Sequence, residues 1–289
     1  ALQSGQAGGA AIDVFNEEPP KDSPLLASPN VIATPHIAGS TNEAQEAVGI
    51  QIAQQVKEYL KRGVIQNAVN VPSVTDEEYS EMAPYIVLAE KLGSFLAQIG
   101  GRDGNLQEIA LRFSGRMGEW KVDLIRNAAI KGVLNQFVPD SANLVNAASV
   151  SKDRGIMIQE TKKPVTAGGA ASVLTLCLKT TAGVSEAKGT VLHSDSHRLL
   201  MLNGIDIEAP LQSRMVYIRN RDVPGVVGKV GTILGKHGVN IANFSLGRKD
   251  ATPGSDAIAV VQVDHDISAE VIADLKTVDA IQEVKAINL

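Results

Sequence analysis

The stretch MVYIRNRDVPGVVGKVGTILGKHGVNIANFSL, residues 215–246, decides the fold of the C-terminal part of the chain. It predicts an apolar strand, a loop with Pro224 and Gly225, a helix and a second strand. Further on, AIAVVQVD, SAEVIADLKTV and IQEVKAI predict a strand, a helix and a final alternating strand. The order βαββαβ predicts an antiparallel sheet of four strands with two helices on one face, a ferredoxin-like arrangement. Glycines at spacing three in GVVGKVG predict close helix packing inside this unit.

The region before it, residues 75–212, mixes helical and strand patterns and predicts an α+β domain. Apolar spacing predicts helices over 77–99 and 119–134, and alternation predicts strands in LQEIALRFSG and over 173–180, 187–193 and 198–203. The last two of these strands form a hairpin that HSDSH closes. Turn residues in APLQS, 209–213, are expected to end this domain.

Two short apolar runs near the N-terminus predict the edge of an α/β sheet. GGAAIDVF (8–15) and VIAT (31–34) read as buried strands, and a loop rich in Pro, Asn, Asp and Ser joins them. A helix over 41–62 follows, with STNE as a capping box in which Ser40 and Glu43 satisfy free amides. Gly63 is expected to cap its end, and residues 67–74 form an exit segment.

Composition and charge disfavour a nucleic-acid partner. The 289 residues have a net charge of −5 and a pI near 5.6, whereas proteins that bind phosphate backbones usually have a basic excess. Aromatic residues make up only 3% of the chain, too few for a base-stacking surface. We therefore expect no nucleic-acid partner.

Cysteine usage and apolar runs indicate the compartment. Cys177 is the single cysteine, so the chain has no internal disulfide and no sign of an oxidising compartment. No stretch reaches the roughly 20 apolar residues of a membrane span, and the N-terminus lacks the features of a signal peptide. The sequence begins without Met and in mid-pattern, which suggests a fragment. We expect a cytoplasmic protein with no membrane partner.

The first candidate site pairs Glu18 with His36, which lies in TPHIAGST, residues 34–41. Each residue adjoins a proline at the end of a predicted strand, and ligands of open α/β sheets bind at strand ends. A carboxylate beside an imidazole fixes its tautomer and favours its protonated form. Such a pair can move a proton to or from a substrate oxygen, a step worth roughly 10²–10⁴ in rate. An ordinary loop histidine is the alternative.

The second candidate site is the start of the helix in RDVPGVVGKVG. Asp222 fits an N-cap ahead of Pro224 and Gly225, and free amides at helix N-termini bind anions and carboxylates. Asn240, at the start of the next strand, can add an amide group. A capped helix and a turn without any ligand is the alternative.

Two weaker patterns point to ligands that we do not expect. His193 and His197 in HSDSH have the spacing of a metal pair on a helix, but they lie in a predicted hairpin turn without a third ligand. GGAAS (168–172) resembles a phosphate loop, but no Lys–Ser/Thr pair follows it. The sequence contains no G-x-G-x-x-G. We therefore expect no metal site.

The motifs GGAAIDVFNEEPP and NVIATPHIAGSTNEAQ together resemble the end of the nucleotide-binding domain of D-2-hydroxyacid dehydrogenases. With its middle α+β domain and its terminal βαββαβ unit, the whole chain is similar to the long phosphoglycerate dehydrogenases of that family. The resemblance implies a multidomain α/β and α+β protein. Its parts would be 1–40, the end of a Rossmann-type NAD-binding domain; 41–74, the return helix and exit segment of the substrate domain; 75–212, an allosteric substrate-binding-like domain; and 213–289, an ACT domain.

The resemblance also implies roles for single residues. His36 matches the family's proton donor and acceptor, Glu18 its carboxylate partner, and Asp13 the residue that meets the nicotinamide amide. The loop that closes over the nicotinamide matches His36, Ile37, Ala38 and Gly39. In the ACT domain, the positions that contact an effector, usually across a subunit interface, match Asn220, Asp222, Gly225 and Asn240.

The resemblance implies NAD-dependent oxidation of 3-phospho-D-glycerate to 3-phosphohydroxypyruvate in serine synthesis, by a homo-oligomer with L-serine as effector. The family's Gly-rich loop and substrate arginine are absent from these 289 residues, so we expect this chain alone to be inactive. One alternative is a stand-alone, non-catalytic amino-acid-sensing module, and another is a dehydrogenase of a different D-2-hydroxy acid. An anion site at Arg198 is disfavoured, because GIDIEAP supplies acids where further bases would be needed.

Overall fold

The computed structural model describes residues 1–62, 65–69, 75–101, 104–139, 141–163, 172–193 and 195–289. They form two compact units, Ala1–Asn67 and Ala68–Leu289. Three predictions lie outside the described residues, namely the Gly63 cap, most of the exit segment and nearly all of GGAAS. Among the described residues, no helix combines the length and the apolar character needed to cross a membrane.

The first unit contains the two short strands that the sequence predicts. β1 (Ala10–Ile12) and β2 (Val31–Ala33) pair in parallel. Their parallel register brings both carboxyl ends to the same edge, so the residues that follow the strands, Asp13 and Thr34, are hydrogen-bonded neighbours. A 3-10 turn over Ala38–Ser40 leads into α1 (Asn42–Arg62). The paired strands and the long helix are therefore confirmed. The strands are shorter than predicted, and the prediction that they are buried is wrong, since Ile32 is 71% exposed.

The N-terminal cap of α1 lies one residue later than predicted. Ser40 ends the 3-10 turn, and its amide already donates to the Ile37 carbonyl oxygen at 2.9 Å. Thr41 takes the cap position instead, because its hydroxyl oxygen accepts the Ala44 amide at 3.2 Å. The prediction of Ser40 as the cap is therefore wrong. The turn that precedes the helix decides which hydroxyl is free to cap it.

The second unit begins with a six-stranded sheet and its helices. The elements are α2 (Asp76–Leu96), β3 (Leu106–Ser114), α3 (Asp123–Leu134), α4 (Ala147–Asp153), β4 (Met157–Lys163), β5 (Val173–Thr180), β6 (Val184–Leu192), β7 (Ser196–Leu202) and β8 (Ile205–Pro210). The strand order is β4-β3-β5-β6-β7-β8, and every neighbouring pair except β3 and β4 is antiparallel. α2 packs on β6 and continues into a π-helical turn, Ala97–Gly101. The predicted β6–β7 hairpin is confirmed.

Two glycines let α2 and α3 cross at close range. A Cβ on Gly93 would overlap the carbonyl oxygen of Ala129, and a Cβ on Gly132 would overlap that of Glu90. Any larger residue would therefore push the helices apart. The buried faces on both helices, with Leu92 and Ile130 fully covered, depend on this short separation.

Three elements of this sheet domain, α4, β4 and β8, were not predicted. β8 shows why: Ile205 and Ile207 are buried, and Asp206 and Glu208 are exposed. This alternation is that of a half-buried strand, whereas GIDIEAP was interpreted only through its acidic residues. Trp120 was predicted inside a helix, but it lies before α3.

The C-terminal part of the second unit is a ferredoxin-like βαββαβ unit, as predicted. Its elements are β9 (Arg214–Arg221), α5 (Val226–Lys236), β10 (Ile241–Arg248), β11 (Asp256–Val263), α6 (Ala269–Lys276) and β12 (Ile281–Asn288). The strands form an antiparallel sheet in the order β10-β11-β9-β12, with β10 at one edge. Both helices pack on one face of this sheet through an apolar core.

The close helix packing predicted from GVVGKVG in α5 is not found. Nothing lies within 4 Å of a Cβ built on Gly228 or Gly231. The helix packs instead through Val226, Val230 and Leu234, which form its buried stripe. The apolar stripe therefore decides which face packs, and the glycines lie outside it.

The second face of this sheet is also buried. Met215, Tyr217, Ile258 and Val260 alternate with the residues of the helix-covered face and are 1–2% exposed. β8 packs against β10 on this side, and the π-helical turn packs against β12. There the Lys285 ammonium donates to the Ile99 carbonyl oxygen. The two halves of the second unit thus share a buried interface.

Candidate active site and a second pocket

The ends of β1 and β2 bring a histidine and a glutamate into contact. The Nδ1 of His36 lies 2.7 Å from the Oε2 of Glu18. The other carboxylate oxygen of Glu18 accepts the Phe15 amide at 3.0 Å, which orients the carboxylate. The contact expected from the sequence is therefore present, and the catalytic role of both residues stays a prediction.

Asp13 holds the loop that contains His36. Its Oδ1 accepts the Thr34 hydroxyl at 2.5 Å and the Ile37 amide at 2.8 Å. Its Oδ2 accepts the Ala38 amide at 2.9 Å. A carboxylate has about four acceptor positions, so one remains for a further donor. Thr34 was not singled out from the sequence, because only the pairing of β1 with β2 brings it to Asp13.

The loop is also held at Gly39 and strained at His36. The Gln45 side-chain amide donates to the Gly39 carbonyl oxygen at 2.6 Å. His36 has a left-handed backbone, with φ of 55°. Non-glycine residues in this region cost of order 1–3 kcal/mol and cluster at functional sites. The bonds from Ile37 and Ala38 to Asp13 hold the strained residue in place.

Electrostatics favour the charged forms of these three side chains. The hydrogen bond to Glu18 and the charge of that carboxylate raise the pKa of His36 above its ordinary value near 6.5. The bond from His36, followed by that from Phe15, lowers the pKa of Glu18. The bonds from Thr34, Ala38 and Ile37 lower the pKa of Asp13. The arrangement therefore stabilises an imidazolium beside a carboxylate.

A cavity of about 500 Å³ opens beside this pair. Its wall contains the polar side chains of Asp13, Glu18, Thr34 and His36 and apolar groups that include Phe15, Leu26 and Pro35. Ligand sites have volumes of roughly 300–1,000 Å³ and combine apolar walls with a few convergent polar groups. Because Glu18 occupies Nδ1, the Nε2 of His36 is the nitrogen that can exchange a proton with a ligand.

A second, smaller cavity lies between α5 and the βαββαβ sheet, and we call it the Asn220 pocket. Asn220 is 3% exposed, and its Nδ2 donates to the Arg221 carbonyl oxygen at 2.7 Å. Its Oδ1 has no hydrogen-bond partner among the described residues. A buried acceptor without a donor costs about 1–3 kcal/mol. The pocket therefore offers an unmet acceptor to an N–H group.

The polar end of the Asn220 pocket differs from its sequence-based prediction. Asp222 was expected to cap α5, but its Oδ2 pairs with the Nη1 of Arg248 at 3.0 Å. Gly225, with φ of 90°, occupies the cap position and makes no side-chain bond. Only glycine takes this backbone conformation easily. Without a side-chain cap, the first amides of α5 are open to a ligand or to water.

Asn240 lies at the other end of β10 from these residues. Its Nδ2 donates to the Oδ2 of Asp264 at 2.7 Å. A strand of this length spans roughly 25 Å, so one chain does not bring Asn240 to the Asn220 pocket. The structure therefore groups three of the four predicted effector residues and leaves the fourth apart.

The histidines of HSDSH have separate environments. The Nε2 of His197 lies 3.0 Å from the Pro84 carbonyl oxygen, and burial lowers the pKa of this histidine. His193 lies in the hairpin turn. Nearby, the Nε of Arg198 donates to the Ser196 hydroxyl at 3.1 Å. Within the part of the chain that the structure describes, no cluster of three His, Cys, Asp or Glu could hold a metal ion.

Models of three protein families match consecutive parts of this chain. Residues 1–38 match the NAD binding domain of the D-isomer specific 2-hydroxyacid dehydrogenases. Residues 81–203 match the D-3-phosphoglycerate dehydrogenase intervening domain, and residues 214–280 match the ACT domain. The first match contains Asp13, Glu18 and His36, and the third contains Asn220.

Curated relatives match along the whole chain. The D-3-phosphoglycerate dehydrogenase of Methanocaldococcus jannaschii is 36% identical over 292 residues, which cover 100% of this chain and 54% of the relative. The Bacillus subtilis enzyme of the same name is 33% identical over 289 residues, with coverage of 100% and 54%. D-3-phosphoglycerate dehydrogenase 2, chloroplastic, of Arabidopsis thaliana is 34% identical, with coverage of 98% and 47%.

Along its whole length the chain is therefore similar to D-3-phosphoglycerate dehydrogenases. It spans about half the length of the curated relatives it matches. The family resemblance and the fold class expected from the sequence are thus confirmed. The domain boundaries at residues 40, 74 and 212 stay predictions, since the compact units divide at Asn67.

Proposed function

We propose that this chain forms the C-terminal part of an NAD-dependent phosphoglycerate dehydrogenase, which oxidises 3-phospho-D-glycerate to 3-phosphohydroxypyruvate. The proposal rests on the 2.7 Å contact between His36 and Glu18 beside an open cavity, in a chain similar to such enzymes. With it we propose a place in serine biosynthesis, a cytoplasmic location and a homo-oligomeric assembly.

In this mechanism His36 is the general base. Its Nδ1–H donates to Glu18, so Nε2 presents its lone pair to the C2 hydroxyl of the substrate. The hydroxyl proton moves to Nε2 as C2 becomes a carbonyl carbon, and Glu18 stabilises the imidazolium that forms. NAD, when bound, would supply the acceptor for the hydride that leaves C2. In the reverse direction the imidazolium returns its proton to the carbonyl oxygen.

The described residues fit the nicotinamide end of NAD. Asp13 keeps one acceptor position beyond its three loop donors, which suits the carboxamide N–H of nicotinamide. Ile37, Ala38 and Gly39 follow His36 in the same loop. The pyrophosphate needs a Gly-rich turn at a helix N-terminus, and these 289 residues contain no G-x-G-x-x-G. Cofactor binding therefore depends on residues outside this chain.

The test is turnover by a chain extended upstream to the length of its relatives. With NAD and 3-phosphoglycerate, His36→Gln is expected to lower kcat by about 10²–10⁴. Unphosphorylated glycerate is expected to react much more slowly, and the 289 residues alone are expected to show no NAD-linked turnover. Wild-type rates for the extended His36→Gln variant would refute the mechanism, and equal rates on both substrates would favour another 2-hydroxy acid.

We further propose that the Asn220 pocket binds an amino acid, with L-serine as the effector. The unpaired Asn220 Oδ1 accepts the α-ammonium group, and the open amides at the start of α5 bind the α-carboxylate. Asp222 stands at the same end of the pocket and can accept the serine hydroxyl. These groups match a zwitterion better than a simple anion.

A second copy of the chain is proposed to supply Asn240. β10 is an edge strand, with β11 on one side only. If two copies pair their β10 strands antiparallel about a two-fold axis, the start of each strand lies beside the end of the other. Asn240 of the second copy then reaches Asn220 and Asp222, which one chain keeps apart.

Calorimetry with L-serine tests this arrangement. Asn240→Ala is expected to weaken binding about tenfold or more, because a hydrogen bond to a charged group contributes about 1.5–3 kcal/mol. Lys236→Ala, an exposed change at the end of α5, serves as the control. Equal affinity of Asn240→Ala and wild type would remove Asn240 from the site.

A non-catalytic amino-acid-sensing module is the second candidate function. It is favoured by the position of the Asn220 pocket, which lies wholly within the second compact unit. If the extended chain binds L-serine but does not turn over 3-phosphoglycerate, this candidate is preferred.

A further inference from the structure

β10 presents alternate side chains to two different parts of the molecule. On the face toward α5, Phe244 and Leu246 wall the Asn220 pocket. Arg248, next in this alternation, pairs with Asp222 at the polar end of the pocket. Because side chains alternate along a strand, the residues between them lie on the opposite face.

The opposite face of β10 contacts β8, the last strand of the six-stranded sheet. The Ser245 hydroxyl donates to the Glu208 carbonyl oxygen at 2.7 Å. Gly247 lies directly against the main chain of β8, since a Cβ there would overlap the Asp206 carbonyl oxygen. The same Cβ would lie 3.0 Å from Cγ2 of Ile205. These contacts join the βαββαβ unit to the intervening part of the chain.

The Asn220 pocket is too small for an amino acid as it stands. Its volume is about 30 Å³, which holds about two water molecules. A ligand therefore has to displace part of the wall, which is formed by β9, β10, β11, α5 and the loop at Val223, and β10 is the edge strand among these. Packed interiors respond to such displacements by discrete shifts of whole elements. Any shift of β10 alters its contacts with β8, because Gly247 leaves no gap there.

We propose that β10 couples the Asn220 pocket to the intervening part of the chain, so that a ligand in the pocket alters β8 and the sheet edge that β8 forms. Residues 244, 246 and 248 contact the pocket or its polar end, and residues 245 and 247 contact β8. The identity of the ligand, though not the coupling, rests on the proposed effector function. Because coupling acts in both directions, a change at the β8 contact is also expected to change ligand affinity.

The first experiment needs no ligand. Leu246→Trp and Val223→Trp each enlarge a side chain of the pocket wall, but only Leu246 belongs to β10. Hydrogen exchange of the 289-residue chain is followed in the peptide that contains Ile205–Pro210. Leu246→Trp is expected to change exchange there by about threefold or more, and Val223→Trp to leave it close to wild type. An unchanged β8 in Leu246→Trp, with altered exchange in β10, would overturn the proposal.

The second experiment measures the reciprocal effect. Gly247→Ala adds a methyl group that presses on β8, and Gly231→Ala adds the same methyl group to α5 in open space. Gly247→Ala is expected to change the L-serine dissociation constant by about fivefold or more, the lower range of allosteric coupling. Gly231→Ala is expected to keep the wild-type value, and equal affinities in both variants would contradict the coupling.

The two experiments separate this proposal from the effector function. If wild-type chain binds no L-serine in calorimetry, the effector assignment fails, and the exchange of β8 in Leu246→Trp still decides the coupling. If L-serine binds but neither β8 exchange in Leu246→Trp nor affinity in Gly247→Ala responds, the pocket is a ligand site without this connection.

Discussion

At the scale of single residues, Glu18 is expected to set the proton affinity of His36. Its hydrogen bond and charge raise the pKa of His36, so Glu18→Gln should lower that pKa toward its ordinary value near 6.5. In the proposed mechanism oxidation needs neutral His36, so the rate of the extended chain should rise as pH increases through this pKa. Glu18→Gln should therefore move the rising limb of the profile to lower pH. Titration of the imidazole by nuclear magnetic resonance measures the pKa directly.

The same ion pair links folding to pH. The raised pKa of His36 means that its contribution to stability is fully present below its unfolded pKa and is lost as pH rises through its folded pKa. The lowered pKa of Glu18 means that its contribution is present above its unfolded pKa and is lost as pH falls through its folded pKa. In the titration of the His36 imidazole, Glu17→Gln is the control for Glu18→Gln. An unchanged His36 pKa in Glu18→Gln would show that the Glu18 carboxylate does not raise the pKa of the imidazole.

At the scale of elements, the crossing of α2 and α3 is expected to be intolerant of any side chain. Gly132→Ala should destabilise the second unit by about 1–3 kcal/mol, because its methyl group would overlap the Glu90 carbonyl oxygen. Gly231→Ala in α5 should stabilise by roughly 0.4–1 kcal/mol, since its methyl group meets open space and restricts the unfolded chain. Urea denaturation of both variants and of the wild type measures these changes in the free energy of unfolding. Equal effects would mean that the crossing distance is not set by glycine.

At the scale of the whole molecule, the sheet domain and the βαββαβ unit are expected to unfold together. Trp120, the only tryptophan, packs edge-on against Tyr85 in the sheet domain, with 5.4 Å between ring centroids. Tyr217 is 1% exposed on the sheet face that the helices α5 and α6 leave to β8 and the π-helical turn. Tyr217→Ala should therefore lower the free energy of unfolding by about 3–5 kcal/mol. The denaturation midpoint that Trp120 fluorescence reports should fall accordingly.

Tyr217→Phe keeps the ring in this interface and serves as the matched variant, with a much smaller expected shift. If the Trp120 transition keeps its wild-type midpoint in Tyr217→Ala while circular dichroism reports an earlier loss of structure, the two parts unfold independently. A single shared transition in both signals is the expected result.

Much of the fold could be read from the sequence, because apolar periodicity is a local property. The βαββαβ order, the helix α1 and the short strands β1 and β2 follow from alternation, helical spacing and turn residues. β8 could have been found by the same rule, since Ile205 and Ile207 alternate with acids. The pairing of Glu18 with His36 was expected from strand ends and from family resemblance, and the 2.7 Å contact agrees with it.

The sequence by itself determined the family resemblance, most of the element types and the candidate site residues, because these depend on residue identity and short-range spacing. The tertiary structure alone decided which groups meet. In the folded chain Thr41 caps α1, and Asp222 forms an ion pair with Arg248. Asn220 Oδ1 has no hydrogen-bond partner among the described residues, and Gly247 packs against β8. The cap depends on the turn geometry just before α1, and the other three outcomes depend on distances between separate elements, which no local pattern of residues records.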